Sequence, residues 1–212
     1  VCPESQTVVL KNPISAEMSV MRPSILPGLL STLSYNLNRQ RERVRLFEEG
    51  LVFEKVAAEI KQTRCLAGLI YGSADPINWH QPKKLVDFYD IKGIVESLAD
   101  KGQHAEPVEF VKSEHPAMHS GQCAEVRFYG KCLGHVGAIH PRLQRQFGFA
   151  SAVYLFELNT EALVTRQLPA ASVLSRYPEV SRDLAIVVGV DTAAGDIAAS
   201  IRANAGSDLT EL

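Results

Sequence analysis

The chain has 212 residues, 46% apolar and 22% charged, with 22 basic and 24 acidic residues and a formal net charge of −2. This composition excludes wholesale disorder and a collagen-like repeat. It gives no global electrostatic pull toward nucleic acid, so any RNA contact must come from a local patch. No apolar run approaches the roughly 20 residues that a membrane-spanning helix needs, and the length suits one large domain or one plus part of another. Cys2, Cys65, Cys123 and Cys132 are dispersed without a C-x-x-C pair, so no disulfide framework is expected. The chain opens on Val1 without a signal peptide and closes at Leu212 just where a strand begins, which reads as a piece of a longer cytosolic protein.

Thr7 to Leu10 predicts a short strand stopped by Asn12-Pro13. Ser24 reads as a helix N-cap, followed by Leu26, Leu29, Leu30, Leu33 and Leu37 at spacings of three and four. Pro27 falls in the first turn, where a missing N–H is tolerated, and the helix should end near Arg39. Residues 43–53 predict two short strands or one bulged strand, interrupted at Glu48-Glu49-Gly50. A buried strand over 65–71 and a loop over 72–86 follow. Asp87 opens a second helix with Ile91, Ile94, Val95 and Leu98 inward, and Asp90 adds negative charge near its N-terminus. From 108 the period changes to two, and Gly130-Lys131 predicts a two-residue hairpin turn before a return strand over 132–139. His140-Pro141 begins a short helix ended by Gly148, and Val153 to Leu158 is a further strand. A domain boundary fits near 165–178, between Pro169 and Pro178. Beyond it come a strand from Leu184 to Val190, a helix with Ile197 and Ile201 ended near Gly206, and a new strand at Asp208-Leu209.

Few residue patterns point to chemistry. His115 and His119 are four apart, but Pro116 follows the first and the glutamate of an H-E-x-x-H helix is missing. Cys123, Cys132 and His135 match no zinc spacing, so structural roles are expected and no metal site. No G-x-S-x-G elbow occurs, and Gly134 with Gly137 reads as close packing or a bulge rather than a phosphate loop. Arg39, Arg41, Arg43 and Arg45 alternate; in an extended stretch all four would share a face able to grip phosphates or a partner's carboxylates. The bland alternative is a helix C-terminus whose arginines complement the dipole. Glu48-Glu49 and the Asp87/Asp90 pair read as surface or capping groups. These local patterns describe a soluble α+β domain without an evident active site.

Six segments in order carry a resemblance: Asn12 to Ser15, Met21 to Leu30, Arg45 to Gly50, Val86 to Gly93, Gly134 to Pro141, and Tyr177 to Asp183. Together they resemble the beta-subunit family of bacterial phenylalanyl-tRNA synthetases across nearly the whole chain. One departure is His119-Ser120-Gly121-Gln122-Cys123, where the family more often has His-Pro-Gly and a small hydroxyl residue. The resemblance implies a class II synthetase-like core over 1–165, an antiparallel sheet flanked by helices. It further implies a linker over 166–171 and the truncated start of a ferredoxin-like anticodon-binding domain over 172–212.

Class II cores hold ATP with an arginine in a Phe/Tyr-Arg-x-Glu strand. The matching stretch is Phe53-Glu54-Lys55-Val56, so Glu54 stands in the arginine's place and Val56 in that of the glutamate. A unit charge pair at about 4 Å and an effective dielectric near 20 is worth on the order of 4 kcal/mol, so reversing its sign removes the grip. Lys55 is adjacent and would point to the opposite face. The second arginine's place, Leu155 to Leu163, holds neither arginine nor the expected glycines. The resemblance therefore implies a non-catalytic core with no cofactor of its own. It would pair with the catalytic alpha subunit, which uses ATP and magnesium, in a cytoplasmic heterotetramer that positions tRNA. Its interface would use apolar surface near the leucine helix and the Asp87 helix. The alternatives are a tRNA-binding module acting through Arg39 to Arg45, and an independent enzyme, which would need perturbed groups clustered in a cleft.

Overall fold

The computed structural model describes residues 7–57, 59–80, 82–100, 108–161, 178, 180–206, 209 and 212. The chain divides into two compact units, Val1–Gln167 and Leu168–Leu212. The linker expected at 166–171, the segment 172–177 and the strand start at Asp208 lie outside the described residues.

In the first unit, the expected strand at 7–10 contributes only an isolated bridge between Val9 and Val20. The Leu10 N–H donates to the Ser19 carbonyl and the Met21 N–H to the Val8 carbonyl, both at 2.8 Å, so the segment pairs locally with 19–21 rather than joining the sheet. Helix α1 (Leu26–Leu37) buries Leu26, Leu29, Leu30 and Leu33, as the leucine spacing requires. Strands β1 (Val44–Val56) and β2 (Glu59–Tyr71) pair antiparallel over their full length without a register shift. The interruption expected at Glu48-Glu49-Gly50 does not occur, because the two glutamates alternate faces and each finds an arginine. Glu48 pairs with Arg22, and Glu49 with Arg64 at 3.3 Å. Gly50 leaves room for the Arg22 guanidinium, since a Cβ there would meet it at 2.1 Å. The first half of β2, Glu59 to Arg64, is polar and carries no strand pattern in the sequence; pairing to β1 makes it a strand.

Helix α2 (Phe88–Asp100) starts with reciprocal caps. Asp87 Oδ1 accepts from the Tyr89 and Asp90 N–H groups, and Asp90 Oδ2 accepts from the Asp87 N–H at 2.7 Å. Strands β3 (Glu109–Lys112), β4 (Met118–Phe128) and β5 (Lys131–Ile139) form a meander. The β4–β5 turn lies one residue earlier than expected: Phe128 pairs with Lys131, and Tyr129 and Gly130 occupy the turn with φ of 48° and 69°. Positive φ at both central residues is the mirror-image turn that matches strand twist. Helix α3 (Pro141–Phe147) is capped by His140 and closed by Gly148 in the left-handed conformation. Strand β6 (Tyr154–Asn159) completes a six-stranded sheet of order β1-β2-β6-β5-β4-β3, antiparallel throughout.

The sheet carries an apolar layer on each face. One gathers α1 with Val44, Leu69, Ile139 and Leu155, and Leu143 and Phe147 of α3 pack on it. The other gathers Ile91 and Val95 of α2 with Val126, Val136, Phe156 and Leu158. Gly134 and Gly137 allow close packing: a Cβ on Gly134 would lie 2.0 Å from the Glu157 carbonyl oxygen.

In the second unit, helix α4 (Ala194–Asn204) forms and Gly206 follows it with φ of 77°. The expected strand from Leu184 to Val190 is not one, since no described residue pairs with it.

Candidate functional site

On the α1 face of the sheet, a cavity of about 490 Å³ opens between α1, α3 and the paired strands. Pro23, Leu26, Pro27 and Leu30 at the start of α1 and Leu143 and Phe147 of α3 form apolar walls. Val52 and Glu54 of β1, Thr63 of β2 and Glu157 of β6 line it from the sheet, and His115 to Ala117 close it before β4. Strand alternation puts Val52 and Glu54 on one face, and the register sets Thr63 opposite Val52.

Glu157 is fixed by the first turn of α1. Its Oε1 accepts from the Ile25 N–H at 2.6 Å, and the Ser24 hydroxyl donates to Oε2 at 2.9 Å. The same hydroxyl accepts from the Leu26 N–H at 3.1 Å, so Ser24 joins the helix start to the sheet rather than serving as a simple cap. Burial raises the Glu157 carboxyl above the ordinary range, and the Ile25 and Ser24 bonds oppose that rise. Burial, with His135 beside it, depresses His115 to about 4, so this imidazole is neutral at pH 7. Glu54 makes no hydrogen bond or ion pair among the described residues.

No lysine or arginine lines the cavity. Arg22 is committed elsewhere, to Glu48 and, through Nε, to the Leu51 carbonyl at 2.9 Å. Lys61 stands opposite Glu54 in the ladder but is exposed and not among the lining residues. Carboxylates on a lining that holds no cation repel a polyphosphate, although Arg22 acts on Glu157 from outside the lining and opposes the rise of its pKa.

Glu54 therefore faces the cavity, whereas Val56 is exposed at the end of β1. Residue spacing alone does not bring Glu54, His115 and Glu157 to the lining of one cavity, as the fold does. The one legible signal is Glu157, a lone acid in the apolar run from Tyr154 to Leu158.

The four arginines do not share an extended face. Arg39 follows the end of α1 and lies over the Tyr35 ring at 3.3 Å, and Gln40 turns the chain with φ of 62°. Arg41 is exposed, and only Arg45 lies within β1. Arg43 donates to the Ala74 carbonyl at 3.2 Å, and Arg45 to the same oxygen at 2.9 Å and to that of Ser73 at 3.3 Å. The helix end and the left-handed turn break the alternation that residue spacing alone suggested.

The cysteines do not converge with His135. Cys123 is buried with its Sγ 3.6 Å from the Met118 sulfur, Cys132 is exposed, and His135 lies against His115 with ring centroids 5.0 Å apart. Among the described residues no group of three His, Cys, Asp or Glu side chains is placed to hold a metal ion. No described helix is long and apolar enough to cross a membrane.

Residues 2–160 match the profile of the family described as the phenylalanyl tRNA synthetase beta chain CLM domain. The chain belongs to this family. It is 44% identical over 205 residues to the phenylalanine–tRNA ligase beta subunit of Hahella chejuensis, covering 96% of this chain. To that of Pseudomonas fluorescens it is 44% identical over 210 residues, or 99% of this chain. In both cases it spans only 26% of the relative's length. The fold is similar to the crystal structure of pyrrolysyl-tRNA synthetase from Desulfitobacterium hafniense, with a TM-score of 0.55 and 17% identity over 76% of this chain and 52% of that one. This family member thus carries a tRNA synthetase-like sheet whose cavity is acidic.

Proposed function

We propose that the chain is the catalytic-like segment of a phenylalanine–tRNA ligase beta subunit, acting in phenylalanyl-tRNA formation as a structural, non-catalytic core. The observation that carries this reading is a cavity lined by Glu54 and Glu157 and by no lysine or arginine. The residues present do not fit ATP, whose phosphates need cationic or N–H donors. In this reading the alpha subunit binds ATP and magnesium and performs the chemistry. Residues 1–165 pair with it in a cytoplasmic heterotetramer and set the distance to bound tRNA. Residues 166–171 link this core to the opening of a ferredoxin-like anticodon-binding domain, to which α4 contributes.

Exposed Tyr35 on α1 and Tyr89 on α2 support partner contact through these helices, since aromatic side chains are enriched at interfaces. The alternative, an RNA-binding module at Arg39 to Arg45, loses the common face on which it rested. The test has two parts. The purified chain should show no phenylalanine-dependent ATP–pyrophosphate exchange, and it should be recovered with the alpha subunit in a pull-down. Exchange by the chain alone would overturn the non-catalytic reading.

A further inference from the structure

We propose that the loop between β2 and α2 is a docking finger whose Ile77 and Trp79 enter an apolar recess on the alpha subunit. The inference rests on the proposed pairing with that subunit and names the residues that carry it. Ser73 and Leu85 form an antiparallel bridge, and the Ala74 N–H donates to the Lys84 carbonyl at 2.8 Å, so the loop leaves and rejoins the sheet as a narrow hairpin. At its tip Ile77 is 89% exposed and Trp79 fully so. Neither belongs to the apolar layers of the sheet, and the Trp79 indole takes no hydrogen bond among the described residues. A tryptophan in this position adds nothing to folding. Buried against a partner, its ring leaves water, which is why tryptophan is enriched among the residues that dominate interfaces.

The finger is shaped before it meets a partner. The Ala74 carbonyl accepts from Arg43 at 3.2 Å and from Arg45 at 2.9 Å, and Lys83 pairs with Glu42 at 3.0 Å, so β1 and the residues just before it hold both sides of the base. The Asn78 side chain turns the tip, donating to the Pro76 carbonyl and accepting from the His80 N–H, both at 3.0 Å. Pro76 and Pro82 fix the backbone on either side. A tip restrained in this way loses little conformational freedom on docking.

Charge and position identify the partner. Both lysines of the loop are paired, Lys83 with Glu42 and Lys84 with Asp87 at 3.3 Å, and Asp75 adds a negative charge. A nucleic acid strand needs free cations beside the stacking ring, and Ile77 offers no ring to a base. An aliphatic and an aromatic side chain together suit an apolar recess on a protein, with an acceptor for the indole N–H. The Lys84–Asp87 pair ties the finger to the start of α2, just before Tyr89. Leu37 and Arg41 at the end of α1 share a recess with Lys83 and Leu85 of the finger base. The tip is therefore continuous with exposed Tyr35 and Tyr89, the aromatic residues that support contact with the alpha subunit.

Trp79 is the only tryptophan of the chain, so fluorotryptophan places a single fluorine NMR resonance on the finger. Adding the unlabelled alpha subunit should move that resonance and abolish its response to a change from light to heavy water, which marks a ring in contact with solvent. Trp79→Ala should weaken alpha-subunit binding about tenfold or more, and Ile77→Ala by a smaller factor. Both variants should keep the parental urea midpoint, since neither side chain packs inside the chain. If the parent is recovered with the alpha subunit while the resonance stays in place, or while Trp79→Ala binds as tightly, the finger is overturned and the pairing stands. Failure of the parent to bind the alpha subunit would overturn both. A shift caused by tRNA, or by raising the concentration of the chain itself, with none from the alpha subunit, would overturn the proposal in favour of RNA or a second copy.

Discussion

His115 and His135 lie ring against ring, and burial lowers the pKa of both, so each is held neutral where an exposed histidine would begin to protonate. For His115 the folded value is about 4 against an ordinary 6.5. Between these values the unfolded chain binds the extra proton, so lowering the pH favours unfolding. The contribution is fully present above the ordinary value, shrinks as the pH falls through the window, and levels off below the folded value. Its ceiling is on the order of 3 kcal/mol. Urea midpoints at about pH 7 and about pH 5 should therefore diverge less in His115→Gln than in the parent, with the remainder carried by groups such as His135; parallel pH profiles would refute the argument. Little of this was legible in the sequence. His115 shows only Pro116 beside it, and the histidine that neighbours it comes from β5, twenty residues on. Arg45 teaches the same lesson, since its carbonyl partners lie in the loop after β2.

The strands show why some elements were readable and others not. β5 and β6 are central and packed on both faces, so Val136 to Ile139 and Tyr154 to Leu158 read as near-continuous apolar runs. β1 is an edge, where charged residues such as Arg45, Glu49 and Lys55 discourage pairing with another chain but also hide the strand's true length. The turn at Tyr129-Gly130 was misplaced by one residue because glycine suits either central position, and only the register decides between them. Gly134 connects the β5–β6 ladder to the cavity. It faces Leu158 in the β5–β6 ladder, and a methyl group on it would press the Glu157 carbonyl at 2.0 Å. Gly134→Ala should force β5 from β6 and cost about 3 kcal/mol or more, read as a fall in the urea midpoint. It should also shift the amide resonances of Ile25 and Leu26, because the Glu157 side chain holds that helix start. A near-parental midpoint would mean that the two strands can separate without penalty.

Across the first unit, the sheet stands between two apolar layers that form from different helices. Ile139 is fully buried in the layer that includes α1, and Ile91 in the layer that includes α2. The sequence shows both helices and their inward residues, but not that β6, the last of the described strands, inserts between β2 and β5. That placement depends on pairing across some ninety intervening residues, such as Cys65 with Asn159, and no local pattern encodes it. Its mechanical consequence is that each layer can be loosened separately. Ile139→Val and Ile91→Val each remove one buried methylene, at a cost of about 0.5–1.5 kcal/mol. Residues that share no partners add within about 0.5 kcal/mol, whereas a common core would couple them. The double variant, followed by circular dichroism in urea, should therefore lose the sum of the two single losses. A deviation well beyond that margin would show that the layers communicate through the sheet, and that a change at the α2 face reaches the cavity on the α1 face.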